Sequence, residues 1–271
     1  MLVLEAVSYR HAGGTRAALD GVELELGPGE VIGVVGANDA GKSTLCLVAA
    51  GLAPRVVGGT IKGRLLIDGE DVAGRPMHEL VEHVGIVFQN PATQLSAVTR
   101  SVFEEVSFGP SNLGLPLDAV LERTREALAA LEIADLAARH PGRLSGGQQQ
   151  LVALASIIAM RPRHLVLDEP TAQLDPNGTE LVGAAIARLA AGGASILLAE
   201  HKTDLLLRVA NRVVVLDAGR IAASGAAAAV LRSELLPNLG VAEPAIVRLE
   251  RLLAARGLDP GILVGAAGAL E

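Results

Sequence analysis

A glycine-rich segment near residue 40 has the residue types and the spacing of a phosphate-binding loop. It follows the pattern G-x-x-x-x-G-K-S and consists of Gly36, Ala37, Asn38, Asp39, Ala40, Gly41, Lys42, Ser43 and Thr44. In such a loop, backbone N–H groups and the start of the next helix converge on one anion. We expect Lys42 to neutralise the β- and γ-phosphates and Ser43 Oγ to coordinate Mg²⁺. The segment therefore predicts a site for ATP and Mg²⁺.

A pair of acidic residues, Asp168 and Glu169, follows the apolar run Leu165-Val166-Leu167. A carboxylate at the end of a buried strand is placed to hold Mg²⁺ beside the phosphates, which is the role expected of Asp168. Glu169, one residue further on, has the position of a general base that polarises the attacking water. The alternative is that Asp168 only caps a turn before Pro170.

The segment Leu144-Ser145-Gly146-Gly147-Gln148 resembles the signature motif of ATP-binding cassette (ABC) ATPases. A serine at a helix start, followed by glycines, could bind a γ-phosphate with its side chain and amides. Alone, the segment could equally be an N-capped helix without a ligand. It stands after the phosphate loop and before the Asp-Glu pair, however, which is the order found in that family.

Other residues match ABC motifs over residues 1 to about 225, and the resemblance implies their roles. Gln89 corresponds to the Q-loop glutamine, which senses Mg²⁺ and the attacking water. Ala172-Gln173-Leu174-Asp175 corresponds to the D-loop, whose Asp175 lies at the dimer interface. His201 corresponds to the switch histidine that contacts the γ-phosphate, although a lone histidine is more often structural.

Three positions depart from the family pattern. His11 stands where an aromatic residue usually stacks on adenine, and its imidazole offers less stacking area, whereas Tyr9 is expected to face the core. Asp39 replaces a frequent glycine of the phosphate loop, and aspartate tolerates left-handed backbone better than most residues. Leu151 replaces an arginine that many relatives carry after the signature. None of these changes removes a group that hydrolysis needs.

The region after Gln89 resembles energy-coupling factor (ECF) transporter ATPases more particularly. The resemblance rests on Phe88-Gln89-Asn90-Pro91, on the stretch from Val102 to Pro110, and on Asn112-Leu113-Gly114-Leu115-Pro116. It implies a head-to-tail dimer with a second ATPase subunit, identical or paralogous. It also implies a transmembrane coupling protein, a substrate-capture membrane protein, and a peripheral location on the cytoplasmic face of the cell membrane. The cargo would be a vitamin, a vitamin precursor or a transition-metal ion.

The hydrophobic pattern predicts an α/β fold of the P-loop NTPase class, with a β-rich ATP-binding core and a helical signature lobe at about 90–160. We expect an ABC ATPase domain over 1–225 and a small helical extension over 226–271. Pro110 and Pro116 are expected to bracket a loop, a helix is expected over 179–190, and a short strand is expected near Ile221.

Composition narrows the classes of function. The chain has 271 residues, a net charge of −7 and one cysteine, Cys46, which is expected to be a small buried apolar residue. Its N-terminus does not have the pattern of a leader, and no apolar run is long enough to cross a bilayer. The acidic charge argues against a nucleic-acid partner. Two alternatives stay open: a soluble ABC ATPase acting on nucleic acid or ribosomes, and a non-hydrolysing nucleotide-binding regulator.

Overall fold

A mixed six-stranded sheet carries the predicted phosphate loop in the computed structural model, which describes residues 1–259. Its strands run in the order β10-β9-β3-β8-β7-β6, and all neighbours are parallel except β9 and β10. They are β3 (Val31–Val35), β6 (Val84–Val87), β7 (His164–Asp168), β8 (Ser195–Ala199), β9 (Arg212–Asp217) and β10 (Arg220–Ala226). Strands β3, β7 and β8 are buried along their whole length, because helices or the second sheet cover both faces.

A second, four-stranded antiparallel sheet packs against this one and has the order β2-β1-β4-β5. Its strands are β1 (Leu2–Arg10), β2 (Leu19–Leu26), β4 (Thr60–Ile67) and β5 (Glu70–Asp71). Buried and exposed residues alternate along much of β2, as expected for a sheet with one face on the core. This sheet places His11, which follows β1, beside the phosphate loop.

Helices cover the sheets and build a separate lobe. They are α1 (Lys42–Ala49), α2 (Met77–Leu80), α3 (Val102–Asn112), α4 (Leu117–Ala130), α5 (Gly146–Met160), α6 (Pro176–Ala191), α7 (Thr203–Val209), α8 (Ala227–Leu231), α9 (Leu235–Asn238) and α10 (Ala245–Ala254). Helices α3, α4 and α5 pack on one another through buried residues such as Val106, Leu128 and Val152. Together they form a helical lobe between Val102 and Met160.

The apolar residues confirm two smaller expectations. Cys46 is fully buried in α1 within the cluster of apolar side chains that joins the two sheets, and burial raises the pKa of its thiol. Tyr9 is buried in the same cluster, and its hydroxyl donates to Gly58 O. In residues 1–259, no helix has the length and apolar character needed to span a bilayer.

Three expected boundaries are corrected by the structure. Pro110 lies inside α3 instead of bracketing a loop, because its missing N–H removes only one backbone bond two residues before the helix ends. The expected helix over 179–190 begins earlier, at Pro176, because Asp175 caps it and proline suits the first helical position. The strand expected near Ile221 extends to Ala226, so the expected extension begins at the end of β10. Its residues 260–271 lie outside the described residues.

Candidate functional site

The phosphate loop joins β3 to α1, and its backbone requires glycine at both glycine positions of the pattern. A Cβ at Gly36 would run into the carbonyl oxygen of Leu216. Gly41 has a φ of 106°, and a Cβ there would lie 2.7 Å from Ala18 O. Asp39 adopts the left-handed conformation expected of it, with a φ of 63°. The loop therefore forms as the pattern predicts.

Lys42 lies inside this loop and is buried. Its ammonium donates to Gly36 O at 3.1 Å and to Ala37 O at 3.0 Å. A buried ammonium needs such acceptors, because desolvation without a partner is costly. The loop carbonyls thus hold the positive charge at the point where the helix N-terminus also favours an anion.

Ser43 and Asp168 form a pair of oxygen donors beside Lys42. Ser43 Oγ donates to Asp168 Oδ1 at 3.1 Å, and Asp168 ends β7. Burial raises the pKa of Asp168, although the hydrogen bond from Ser43 and the charge of Lys42 act in the opposite direction. Hydroxyl and carboxylate oxygens are ligands that Mg²⁺ prefers. The hydrogen bond and the nearby ammonium do not fully offset the cost of burying the Asp168 charge, so this carboxylate is suited to binding a cation.

Residues 1–259 contain no group of three or more His, Cys, Asp or Glu side chains able to hold a metal ion by themselves. A magnesium ion held by Ser43, Asp168 and Gln89 would therefore take its other ligands from phosphate oxygens and water, as is usual for this ion.

Glu169 lies between the two other predicted participants in hydrolysis. Gln89 Nε2 donates to Glu169 Oε2 at 2.7 Å, and His201 Nε2 lies 2.9 Å from Glu169 Oε1. Glu169 itself has a φ of 49°, a left-handed backbone conformation that non-glycine residues adopt at some energetic cost. The three side chains come from the ends of β6, β7 and β8, so parallel strands bring them to one edge of the sheet.

A cavity of about 610 Å³ opens over these groups. Its size is in the range of small-molecule sites. It is lined by the phosphate loop, the start of α1 and loop residues that border strands of both sheets, including His11, Asn38, Asp39, Lys42, Ser43, Gln89, Glu169 and His201.

His11 lies at one side of this cavity. Its Nε2 is 3.1 Å from Thr44 Oγ1 at the start of α1, and its ring meets the Tyr9 ring edge-on at a centroid distance of 4.9 Å. The exposed imidazole is therefore held next to the phosphate loop, at a position from which it could reach a nucleotide base.

The signature residues and Asp175 do not reach this cavity. Ser145 caps α5: its Oγ accepts from Gln148 N at 3.3 Å, while Gln148 Oε1 accepts from Ser145 N at 3.1 Å. Asp175 caps α6, with Oδ1 accepting from Gly178 N at 2.7 Å. Within one chain both therefore have capping roles. The structure brings together every predicted site residue except this second group, Ser145 to Gln148 and Asp175.

Two residues that flank His201 were missed from the sequence. Glu200 is buried and Lys202 is half-buried. Both bond to Thr171, which directly precedes the D-loop, and Lys202 also bonds to Leu174 within it. In the sequence, only their position next to the switch histidine indicated that these two residues could matter for function. Leu151, by contrast, is buried in the core of the helical lobe, so this position contributes packing in place of a polar contact.

Comparison with known proteins matches residues 19–172 to the ABC transporter family. The cobalt import ATP-binding protein CbiO of Rhodobacter capsulatus is 42% identical over 251 residues, covering 91% of this chain and 86% of the relative. The energy-coupling factor transporter ATP-binding protein EcfA of Methanothermobacter thermautotrophicus is 37% identical over 262 residues, covering 96% and 82%.

Among solved structures, CbiO1 from Clostridium perfringens, part of the ABC transporter complex CbiONQ, superimposes with a TM-score of 0.75 at 33% identity. The match covers 92% of this chain and 98% of that one. Because the family model covers more than half of the chain and the relatives nearly all of it, the chain belongs to the ABC transporter ATP-binding proteins and is an ATP-hydrolysing cassette.

Proposed function

We propose that two copies of this chain form a head-to-tail dimer that powers an ECF-type importer of a vitamin, a vitamin precursor or a transition-metal ion. The observation that supports a dimer is that the two groups of predicted site residues lie apart from each other within one chain. The cavity holds the phosphate loop, Gln89, Glu169 and His201, whereas Ser145 lies exposed at the start of the 15-residue helix α5. Since each copy has both halves, two copies complete two sites.

The proposed chemistry assigns one task to each group. Lys42 and the loop amides bind the β- and γ-phosphates, and Glu169 takes a proton from the attacking water. Ser43, Asp168 and Gln89 would hold Mg²⁺, which supplies neutralisation of the phosphate charge when it is bound. The partner copy contributes the amides and the hydroxyl at the start of α5, where the helix dipole favours the γ-phosphate.

Exposed apolar residues after the Q-loop support a membrane partner. Val98, Phe108 and Leu117 are 73%, 44% and 71% exposed, and they lie between Gln89 and the first turn of α4. All three lie in or next to the stretch after the Q-loop that resembles ECF transporter ATPases, and large exposed apolar side chains are available for contact with a partner. We propose that a transmembrane coupling protein docks here and brings the chain to the cytoplasmic face of the membrane. The names CbiO and EcfA of the relatives support the same assignment.

Affinity purification of the tagged chain from solubilised membranes tests this proposal. We expect two membrane proteins to copurify: a coupling protein and a substrate-capture protein. Phe108→Asp and Leu117→Asp should each reduce their recovery strongly, whereas Leu235→Asp, a matched change at a leucine that is 56% exposed on α9, should not. Recovery of DNA or ribosomes without a membrane partner would favour the soluble alternative. Recovery of a second, different cassette would show that the partner in the dimer is a paralogue and not an identical copy.

A further inference from the structure

Lys202 is bonded to the D-loop and to the residues on either side of it through all three donors of its ammonium group. Its Nζ lies 2.9 Å from Thr171 O, 3.2 Å from Leu174 O and 2.8 Å from Thr179 Oγ1. Lysine is the side chain that presents three donors from one centre. Because two of the acceptors are main-chain carbonyls of residues 171–174, the ammonium fixes the path of the backbone that leads to Asp175.

Thr179 extends this contact to Asp175 itself. The hydroxyl of Thr179 accepts from Lys202 and donates to Asp175 O at 2.9 Å. The ammonium is therefore linked through one hydroxyl to the residue that the proposed dimer places at its interface.

Glu200, which precedes His201 in the sequence, also contacts Thr171. Its Oε2 accepts from Thr171 Oγ1 at 2.6 Å, and its Oε1 accepts from the main-chain N–H groups of His201 at 2.8 Å and Lys202 at 3.1 Å. Glu200 is only 2% exposed, and buried carboxylates need such donors. The backbone that carries the switch histidine is thus tied to the start of the D-loop.

Gln173 of the D-loop lies next to the signature of the same chain. A Cβ at Gly146 would lie 2.6 Å from Gln173 Oε1, and a Cβ at Gly147 would lie 3.3 Å from Gln173 O. The D-loop therefore lies between the residues around His201, which belong to one nucleotide site, and the start of α5, which belongs to the other site of the proposed dimer.

We propose that Lys202 and Glu200 are positioning residues that transmit the state of His201 to the D-loop and so to the signature of the same chain. This inference rests on the proposed function, together with the roles that the family resemblance implies: His201 contacts the γ-phosphate, and Asp175 lies at the dimer interface. Neither residue touches the nucleotide in this scheme. When His201 moves toward a γ-phosphate, its neighbours move with it, and their bonds to Thr171, Leu174 and Thr179 carry the displacement into the D-loop.

Hydrogen exchange measured by mass spectrometry on the full chain tests this coupling. The peptide of interest spans residues 170–179, where Ala172 N donates to Glu169 O and Leu174 N donates to Thr171 O. Exchange is compared with and without a non-hydrolysable ATP analogue, at a dilution where sedimentation shows monomers. We expect wild type to change its exchange in this peptide when the analogue binds.

Lys202→Met removes the three donors while keeping the length of the side chain. We expect exchange in residues 170–179 to rise about tenfold, since hydrogen bonds to a charged group are lost. We expect the analogue-dependent change in this peptide to disappear, although analogue affinity stays within about threefold. Lys202→Arg, which keeps the charge and donors, should restore much of the change. Lys62→Met, at the one other lysine outside the phosphate loop, should behave as wild type.

Three results would overturn the proposal: unaltered exchange in Lys202→Met, a surviving response to the analogue, or faster exchange spread equally through β7, β8 and α6. If Lys202→Met does not fold, Thr179→Val carries the test. It removes the hydroxyl that accepts from Lys202 and donates to Asp175 O, and it leaves the bonds of Lys202 to Thr171 O and Leu174 O in place. A Thr179→Val chain identical to wild type would contradict the coupling. Failure of wild type to bind the analogue would instead contradict the nucleotide site, and loss of membrane partners would contradict the importer.

Discussion

Gln89 and His201 each contact a different carboxylate oxygen of Glu169, at 2.7 Å and 2.9 Å. Both oxygens of the proposed base therefore have a partner in the chain without nucleotide. A γ-phosphate that attracts His201, and a magnesium ion that attracts Gln89, would free Glu169 to accept a proton from water. Glu169 would have to give up one of these contacts before that oxygen could accept the proton.

Glu169→Gln should bind ATP with nearly wild-type affinity but hydrolyse it at least about a hundredfold more slowly, because general-base catalysis contributes roughly that factor or more. Phosphate release and nucleotide binding, measured on the same preparation, check this. Glu180→Gln, an exposed glutamate on α6, is the control and should keep full turnover. Turnover of Glu169→Gln within threefold of wild type would show that another group is the base.

His11 should contribute to binding of the base and not of the phosphates. We expect His11→Ala to weaken ATP binding severalfold and His11→Tyr to strengthen it by about three- to tenfold, because a larger ring gains stacking energy. Affinity for inorganic triphosphate should be the same in all three proteins. Calorimetric titration with ATP and with triphosphate measures the ratio of the two affinities in each protein. Equal changes for ATP and triphosphate would place His11 away from adenine.

Asp168 should destabilise the nucleotide-free chain at neutral pH. Because burial raises the pKa of this carboxyl in the fold, its charged form is disfavoured there relative to the unfolded chain. The penalty is full above the raised pKa, and it shrinks as the pH falls toward the ordinary aspartate value of about 3.9.

Asp168→Asn should therefore be more stable than wild type at pH 7.5 without Mg²⁺, and its advantage should decrease on acidification. Denaturant unfolding at several pH values measures the difference. Added Mg²⁺ and ATP should stabilise wild type much more than the variant. A variant that is less stable than wild type by the same amount at every pH would contradict this interpretation.

His164 should make the chain sensitive to mild acid. It is 2% exposed, its Nε2 lies 3.2 Å from Asp68 Oδ1, and its buried Nδ1 has no partner in the structure. Burial, the N-terminal amine and His83 all lower its pKa, outweighing the opposite effect of Asp68. As the pH falls, His164 therefore takes up a proton in the unfolded chain before it does so in the folded chain. Its contribution to stability is full above about pH 6.5 and decreases as the pH drops below that value.

The matched variant His164→Asn should be less stable than wild type at pH 7.5 but should lose less stability between pH 7.5 and 5. Asp68 does not interfere in that interval, because its pKa lies well below the usual range and its contribution is lost only in stronger acid. Parallel pH dependences of wild type and variant would assign the acid sensitivity to other groups.

The sequence predicted most of the site because its parts follow strand ends. Asp168, Glu169 and His201 each come directly or almost directly after a buried apolar run, and parallel strands deliver such residues to one edge. The left-handed Asp39 was predictable from the preferences of aspartate. The prediction that Pro110 borders a loop is wrong, because packing of α3 in the helical lobe outweighs the loss of one backbone hydrogen bond.

The contacts of Glu200 and Lys202 could not be predicted in the same way. Lys202 meets its acceptors 23 to 31 residues away in sequence, so no local spacing connects them. The position of Ser145 outside the cavity also depends on how the helical lobe sits on the sheet. Pattern and propensity do not specify that placement, which is set by tertiary packing.

Complementation between two inactive variants tests the shared site most directly. Lys42→Ala removes the phosphate-loop half and keeps the signature, whereas Ser145→Arg blocks the signature and keeps the loop. Each should be nearly inactive alone. Mixed in equal amounts, they should recover about a quarter of wild-type ATP turnover if the sites act independently, because half of the dimers then contain one intact site. A mixture as inactive as its separate components would contradict a site built from two copies of this chain.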